Sequence, residues 1–281
     1  MRALVKVGGK RLSSALSSLS SPYIRRFCSS LNSGSVHPSS NVHPNAVLGQ
    51  VSNLISSFEL FIGVVQNLSG SGAIVGDDLP GRTVLGCDNV IGHHAVVGVK
   101  CQDLKYKSGD ECFLDVGDNN DIREHTSIHR SSKSSDITAI GNNNLIMGSC
   151  HIAHDCKIGN NIIFANNTLL AGHVVVEDYA HTAGAVVVHQ FCHVGSFSFI
   201  GGGSVITQDV PKYMMVAGER AVLRGLNLEG LRRNGFTAAE IRSLRTAYQK
   251  IFMPADENSG DFEERLSHVV SHSTSYLPSD I

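Results

Sequence analysis

Apolar side chains recur at every sixth residue through the middle of the chain. Between Ile140 and Ile206, Thr182 is the one member of this series that is not apolar. Neither the 3.6-residue period of a helix nor the two-residue period of a strand fits this spacing. Hexapeptide repeats are typical of a parallel β-helix, in which each repeat supplies one short strand and one corner. The same period occurs at Val116, Ile122 and Ile128 and, earlier, at Leu79, Leu85, Ile91 and Val97.

A second repeated position, four residues after each apolar one, is mostly small or slim. It is occupied by Cys150, Cys156 and Cys192, and Ile162 is a bulky exception. Three hexapeptides close one triangular coil, so we expect both positions to point into a narrow interior, where cysteine serves as a small apolar residue. The seven cysteines form no CxxC pair and no metal-ligand spacing, which predicts free thiols.

The repeat predicts a mostly β protein with a long solenoid and a small second domain. We expect the β-helix to cover residues 36–211 and a C-terminal helical domain to cover 212–281. The register is interrupted at 98–115 and at 129–138, which predicts two projecting loops, where function tends to lie. The hexapeptide spacing is also lost at 48–70, where we expect irregular coils.

Beyond Pro211 the pattern predicts helices. The first is expected over 223–234 and the second over 237–252, with a weaker third over 261–270. Thr237 and Glu240 have the spacing of a capping box at the start of the second helix. Its apolar residues then lie on one face.

The first 30 residues differ in composition from the rest. They contain six basic residues and eight serines, and the first acidic residue of the chain is Glu59. An Arg- and Ser-rich start without acidic residues is typical of an organelle transit peptide. We therefore expect residues 1–30 to be a disordered transit peptide and the remainder to reside in the mitochondrial matrix, with the plastid as the alternative.

Charge and hydropathy narrow the range of functions. The net charge of −2 provides no global basic field, so we expect no nucleic-acid partner. We also expect no transmembrane segment, because no apolar run approaches the roughly 18 residues that a membrane-spanning helix needs.

Histidines are concentrated near one predicted corner. Residues 18 apart lie one above another in successive coils, at a normal strand spacing of about 4.8 Å. This arrangement places Gly172 above His154 and Gln190 above Gly172, with His173 and His189 beside the column. The corner therefore collects polar groups from three consecutive coils.

Such a corner has the chemistry for acyl transfer. The imidazole of His154 can accept a proton from a hydroxyl nucleophile, and the adjacent Asp155 can orient it. The backbone N–H of Gly172 can stabilise an oxyanion. The histidines can equally be arranged to bind zinc, which takes three or four protein ligands. The spacing alone leaves both possibilities open.

The chain contains several motifs that together resemble one enzyme family. They are 102–106, Ile128-His129-Arg130, Ile152-Ala153-His154-Asp155-Cys156, Leu170-Ala171-Gly172-His173, His189-Gln190-Phe191 and 227–233. Over residues 73–253 the sequence closely resembles the acyl-ACP–UDP-N-acetylglucosamine O-acyltransferases of lipid A biosynthesis, in their plant mitochondrial branch. This resemblance implies a left-handed parallel β-helix and a homotrimer with active sites between subunits.

The resemblance also implies an activity and its residues. An (R)-3-hydroxyacyl chain would be moved from acyl carrier protein to the 3-hydroxyl of UDP-N-acetylglucosamine, without a cofactor or a metal. His154 would be the general base, Asp155 its support and Gly172 the oxyanion donor. Matching substrate-contact positions are Asp103, His151, His173, His189, Gln190, Asn227, Glu229 and Arg233. Basic residues expected to meet the acidic carrier protein are Arg224, Arg232 and Arg233.

The sequence departs from the family pattern at some positions, and two other functions compete. Asn234 stands where the family usually has a second basic residue, and the tail after Pro254 matches poorly. One alternative is a zinc enzyme of the γ-carbonic-anhydrase type, which shares this solenoid. The other is an inactive structural subunit, against which the intact His154, Gly172 and Gln190 argue.

Overall fold

The computed structural model describes residues 41–42, 46–48, 68–253 and 260–271. The predicted transit peptide lies outside these ranges, as does most of the irregular stretch expected at 48–70. The described chain is a left-handed parallel β-helix followed by a small helical part, as the sequence predicts. Left-handed connections between parallel strands are rare in other folds.

Three sheets form the walls of the solenoid, and their strands pair in parallel except for the last pair of the third sheet. The first contains, in spatial order, β1 (Asn41–Val42), β4 (Ile74–Val75), β7 (Val96–Val99), β10 (Ser127–His129), β13 (His151–Ile152), β16 (Leu169–Leu170), β19 (Val187–Val188) and β22 (Val205–Ile206). The second contains β2 (Ala46–Leu48), β5 (Gly81–Leu85), β8 (Cys112–Val116), β11 (Thr138–Ile140), β14 (Lys157–Ile158), β17 (Val175–Val176) and β20 (His193–Val194). The third contains β3 (Leu68–Ser69), β6 (Val90–Ile91), β9 (Asp121–Ile122), β12 (Leu145–Ile146), β15 (Ile163–Phe164), β18 (His181–Thr182), β21 (Phe199–Ile200), β23 (Met214–Ala217) and β24 (Val222–Leu226).

The core follows the hexapeptide pattern closely. Ile152 pairs with Leu170, which pairs with Val188, so successive coils in this region are in register at a step of 18 residues. Every anchor from Ile140 to Ile206 is buried, and so are the small residues four positions later. The apolar anchors belong to one continuous hydrophobic cluster. Its burial is the main stabilising contribution, at about 25 cal/mol per Å² of apolar surface.

One predicted anchor is wrong. Leu79 is only half-buried and lies outside any strand. Val75 in β4 takes the inward position instead. Ten residues rather than six separate Val75 from the next anchor, Leu85, so an insertion between β4 and β5 shifts the register.

Polar ladders hold the corners together. The N–H of Asp118 donates to Asn142 Oδ1 at 2.7 Å, and the N–H of Asn142 donates to Asn160 Oδ1 at 2.8 Å. The N–H of Asn160 continues the series to Asp178 Oδ1 at 2.7 Å. These bonds satisfy backbone donors that the corners would otherwise leave unpaired.

Two loops leave the solenoid near the predicted positions. The first runs from residue 100 to 111, between β7 and β8, and the second from 130 to 137, between β10 and β11. The six cysteines within the described ranges are free thiols. None of the described helices has the length and apolarity that crossing a membrane requires.

The C-terminal part contains three described helices. They are α1 (Leu228–Arg233), α2 (Ala238–Phe252) and α3 (Phe262–Ser271). The predicted capping box of Thr237 and Glu240 is confirmed at α2. The helix predicted over 223–234 is wrong in its first half, because residues 222–226 form β24, which pairs antiparallel with β23. The third wall thus continues beyond residue 211.

Candidate active site

The structure brings the predicted site residues to two separate clefts. The first, of about 490 Å³, is lined by Asp103, His151, His154, Gly172 and Gln190. The second, of about 470 Å³, is lined by Asn227, Glu229 and Arg233. His173 lies beside the first cleft, in contact with His154. His189 is exposed and lines neither cleft.

The corner that follows β13 positions His154. Asp155, the next residue, has a φ of 63°, so the chain turns sharply there. Its backbone N–H donates to Thr138 Oγ1 at 2.8 Å, which ties this corner to the strand of the preceding coil. The His154 side chain is only 8% exposed, because the 100–111 loop and the next coil cover it.

A hydrogen bond of 2.7 Å joins His154 Nδ1 to Asp155 Oδ2. Ser132 donates to the same carboxylate through its Oγ at 2.6 Å and through its N–H at 3.1 Å. A carboxylate accepts hydrogen bonds and cannot donate them. Nδ1 therefore carries the proton of the neutral ring, and the lone pair lies on Nε2.

Nε2 of His154 faces a second carboxylate across the cleft. Asp103 Oδ2 lies 3.7 Å away, too far for a hydrogen bond but close enough for attraction to a positive imidazolium. The N–H of Lys105 donates to Asp103 at 2.9 Å. That bond, helped by the nearby His154, lowers the pKa of Asp103. An imidazolium formed by protonation at Nε2 would thus lie between two carboxylates, Asp155 at Nδ1 and Asp103 at Nε2.

Gly172 packs its Cα against the face of the His154 ring. A Cβ at this position would overlap Cε1 and lie 2.6 Å from Nε2, so no side chain fits without displacing the imidazole. The N–H of the next residue, His173, donates to the His154 carbonyl at 3.0 Å. Within the described residues the N–H of Gly172 donates no hydrogen bond, so it is available to an oxyanion at the cleft.

Two more histidines form the buried wall of this cleft. His151 Nδ1 hydrogen-bonds Ser127 Oγ at 2.8 Å, and the His151 ring meets His129 edge-on at 5.0 Å. Burial, together with neighbouring His129 and His154, lowers the pKa of His151 to about 4. His151 is therefore neutral at pH 7 and can offer a ring nitrogen to a neutral sugar hydroxyl without bringing a charge into the cleft.

His173 connects the His154 corner to the coil above. Its Nε2 lies 3.5 Å from Asp155 Oδ2, and its ring meets His154 edge-on at 5.2 Å. On the other side it stacks on Phe191 at 4.8 Å. This stacking fixes the ring plane, so His173 presents a defined edge to the cleft.

The second cleft is built on the N-terminus of α1. Asn227 caps this helix, accepting from the N–H of Gly230 at 3.0 Å, and its Nδ2 donates to the Phe197 carbonyl at 2.8 Å. Arg233 Nε lies 2.8 Å from Glu229 Oε1, which holds both charges at the rim. Asn234, where a basic residue was expected, caps the other end by donating from Nδ2 to the Gly230 carbonyl at 2.9 Å.

The possible metal ligands differ from those suggested by the sequence. One ligand atom from each of His154, Asp155 and His173 lies within 4.8 Å of the others. His189, which the sequence placed with the other histidines, is not among them. Oδ2 of Asp155 already accepts hydrogen bonds from Ser132 and His154, so a cation there would compete with both donors.

Sequence reasoning missed several residues of the first cleft. Gln102 and Lys105 line it from the projecting loop, and His129 lines it from β10. Ser132 was missed because it lies in an insertion, where the 18-residue step no longer relates one coil to the next. The motif that contains His129 was a usable signal, since a histidine stands there beside an arginine at the end of a predicted strand.

Several known proteins that are similar to this chain share one description. A family model described as UDP N-acetylglucosamine O-acyltransferase, domain 2, matches residues 209–277, and a bacterial transferase hexapeptide model matches 138–172. A relative from Arabidopsis thaliana, named probable acyl-(acyl-carrier-protein)–UDP-N-acetylglucosamine O-acyltransferase, mitochondrial, is 60% identical over 83% of this chain and 65% of its own. A Burkholderia orbicola acyl-(acyl-carrier-protein)–UDP-N-acetylglucosamine O-acyltransferase is 45% identical over 60% of this chain and 64% of its own. This chain spans less than two thirds of the length of either relative.

Solved structures extend the similarity over most of the fold. The crystal structure of Arabidopsis UDP-N-acetylglucosamine acyltransferase is 60% identical, with a TM-score of 0.74, and the match covers 86% of this chain and 91% of that one. The Francisella novicida enzyme of the same description is 31% identical, with a TM-score of 0.68 and coverage of 85% and 86%. The chain therefore belongs to the family of UDP-N-acetylglucosamine O-acyltransferases.

Proposed function

We propose that this protein transfers an (R)-3-hydroxyacyl chain from acyl carrier protein to the 3-hydroxyl of UDP-N-acetylglucosamine, the first step of a lipid A-type pathway. The observation that carries this proposal is the oriented imidazole of His154. Its Nδ1 is bound to Asp155 at 2.7 Å and its Nε2 faces the first cleft, next to Gly172. The names of the relatives from Arabidopsis and Burkholderia support the same activity.

In the proposed mechanism, Nε2 of His154 accepts the proton of the sugar 3-hydroxyl as its oxygen attacks the thioester carbonyl. The new C–O bond places a negative charge on the carbonyl oxygen, and the Gly172 N–H donates to it. Collapse of this intermediate breaks the C–S bond. The departing thiolate of the carrier protein takes the proton back from the imidazolium, so the enzyme returns to its starting state.

Two carboxylates support this proton transfer. Asp155 binds Nδ1 directly, while Asp103 lies 3.7 Å from Nε2. Both stabilise the imidazolium more than the neutral ring, so they favour the state in which the proton has left the hydroxyl. The neutral His151, together with His173 and Gln190, is proposed to hold the sugar, and Asp103 to contact either the donor or the acceptor.

The nucleotide end is proposed to bind at the second cleft, through Asn227, Glu229 and Arg233. The first cleft opens at a corner after the first wall, whereas the second lies against β15, β18, β21 and β23 of the third wall. We therefore propose a homotrimer in which each site combines the first cleft of one subunit with residues of a neighbour. Exposed apolar side chains on the first wall, Leu169 and Val187, support an interface there.

Partners and cellular location complete the proposal. His189 is proposed to reach the substrate only in the assembled trimer, since it lines neither cleft of the single chain. Arg224, Arg232 and Arg233 are proposed to meet the acidic carrier protein. The Arabidopsis relative is labelled mitochondrial, and we propose that this protein also acts in the mitochondrial matrix after residues 1–30 are removed, rather than in a plastid.

The direct test is acyl transfer by protein that lacks residues 1–30. A panel of 3-hydroxyacyl carrier-protein donors is incubated with UDP-N-acetylglucosamine, and the acylated sugar nucleotide is detected by mass spectrometry. We expect product with at least one donor, at a rate that a chelator does not change. A folded protein that makes no product, or whose rate falls on chelation and recovers with zinc, would contradict the proposal and favour a metal site at His154, Asp155 and His173.

A further inference from the structure

We propose that Ser132 is a positioning residue that holds Asp155, and through it the His154 imidazole, in the orientation that acyl transfer needs. This inference rests on the function proposed above. Ser132 belongs to the loop between β10 and β11, yet its side chain faces the His154 corner of the next coil. Only 1% of Ser132 is exposed, and 3% of Asp155.

Ser132 donates hydrogen bonds to both oxygens of the Asp155 carboxylate. Its Oγ lies 2.6 Å from Oδ2, and its N–H lies 3.1 Å from Oδ1 and 3.3 Å from Oδ2. An aspartate has a broad preference for its last torsion angle, so the carboxylate plane is not fixed by the side chain itself. Two donors from one residue fix that plane. They also hold Oδ2 at the point where it meets His154 Nδ1.

The direction of these hydrogen bonds determines the tautomer of His154. The Ser132 hydroxyl donates to the carboxylate because a carboxylate has no proton to give. With Oδ2 kept as an acceptor, Nδ1 of the neutral His154 must donate to it. This leaves the Nε2 lone pair facing the cleft, as a general base requires. If the carboxylate rotated away, Oδ2 would no longer favour a proton on Nδ1. The alternative tautomer, with its proton on Nε2, would then become populated.

Ser132 can act as a support because the residues before it are themselves fixed. Residues 129–132 are all buried, although all four are polar. The Arg130 side chain donates from Nε to Thr83 Oγ1 at 2.9 Å, and the backbone N–H of Arg130 donates to the Val99 carbonyl at 3.0 Å. The N–H of Ser131 donates to the Phe113 carbonyl at 3.0 Å. The two preceding coils thus anchor the segment that ends at Ser132.

Ser131 provides a matched control. It is also fully buried, but its hydroxyl donates to the Lys133 carbonyl at 3.0 Å and accepts from the N–H of Phe113 at 2.9 Å. Neither bond reaches Asp155. Replacing Ser131 therefore removes a buried hydroxyl from the same segment without removing a donor to the carboxylate.

The test compares Ser132→Ala, Ser132→Thr and Ser131→Ala in acyl transfer. For Ser132→Ala we expect kcat to fall roughly 10- to 100-fold, the scale of loss from a misplacement of about 1 Å, with KM for both substrates unchanged. Ser132→Thr keeps the hydroxyl and should recover most of the rate. Ser131→Ala should keep the wild-type kcat, even if its melting temperature falls. Within an Asp155→Ala background, Ser132→Ala should cause no further loss.

A second readout does not depend on catalysis. The ¹⁵N chemical shifts of the imidazole nitrogens distinguish the two neutral tautomers, and the His154 signals are assigned by their loss in His154→Ala. We expect protonation at Nδ1 in the wild type and a mixture in Ser132→Ala. An inactive wild-type protein would refute the proposed acyl transfer, while the tautomer would still test Ser132. Wild-type kcat and tautomer in folded Ser132→Ala, or equal rate losses in Ser131→Ala, would overturn the inference.

Discussion

At the scale of single residues, the candidate site depends on how closely backbone and imidazole approach each other. His154 is held on one side by Asp155 at 2.7 Å, and on another it packs against the Cα of Gly172. The 18-residue step was enough to predict this pair, because both residues lie in uninterrupted coils. It could not predict Asp103 beside Nε2 or Ser132 behind Asp155, since both lie in loops that the repeat does not describe.

Gly172→Ala tests this close approach. The added Cβ would overlap the His154 ring, so the imidazole must move, and we expect kcat to fall by about 100-fold or more. Gly184→Ala is the matched control, because a Cβ there has no neighbour closer than 3.5 Å. Rates are measured alongside thermal unfolding. A Gly172→Ala enzyme as fast as Gly184→Ala would show that the ring does not need this position.

At the scale of elements, the hexapeptide pattern predicted the walls but not their interruptions. The anchors from Ile140 onward lie inside as expected, because each repeat has the same length and repeats the same packing. The prediction that Leu79 points inward was wrong because the repeat length changes there. The predicted helix over 223–234 failed because its first residues pair with β23, a tertiary contact that local propensity does not encode.

Neighbouring coils are also joined by an ion cluster around Glu177. Its carboxylate binds Ser196 Oγ at 2.6 Å, His193 Nε2 at 2.8 Å and Lys212 Nζ at 3.2 Å. Although burial alone would raise it, these partners lower the pKa of Glu177 from 4.5 to about 2. A lowered carboxylate pKa stabilises the fold above the unfolded value of 4.5, and this stability is lost as the pH falls towards 2.

Replacing Glu177 by glutamine removes this carboxylate, so we compare the free energy of unfolding of Glu177→Gln with that of the wild type. We expect the wild type to be more stable at pH 6, and this advantage to shrink steadily as the pH is lowered from 4.5. Denaturant unfolding at several pH values measures it. Glu219→Gln, which changes an exposed carboxylate, should show no comparable trend. If the wild type keeps the same advantage in unfolding free energy down to pH 3, the cluster does not stabilise the ionised Glu177 as proposed.

At the scale of the whole molecule, the two clefts that contain the predicted site residues are separate from each other. The first contains His154, the proposed base, and the second contains Arg233, and they lie on different walls of the same chain. The sequence indicated the first group through the 18-residue step and the second through the family resemblance. It could not indicate by itself how they meet, because the proposed packing of separate chains is not encoded in any local pattern.

Subunit mixing tests the proposed trimer. His154→Ala and Arg233→Ala proteins are each expected to be impaired, since each lacks one half of every site. When the two are unfolded together, mixed and refolded, about a quarter of the sites in random cyclic trimers should combine two intact halves. We therefore expect activity to reappear. If mixing restores nothing although mass spectrometry detects mixed trimers, the two halves of a site come from the same chain.

The most direct test of the central claim is the rate of acyl transfer by His154→Ala, measured against wild type and a control. The control is His125→Ala, which removes an exposed histidine that stacks on His94, outside both clefts. We predict that His154→Ala loses about 10²- to 10⁴-fold in kcat, the usual contribution of a general base, while remaining folded, and that His125→Ala keeps the wild-type rate. A His154→Ala protein that transfers the acyl chain as fast as wild type would contradict the proposed mechanism.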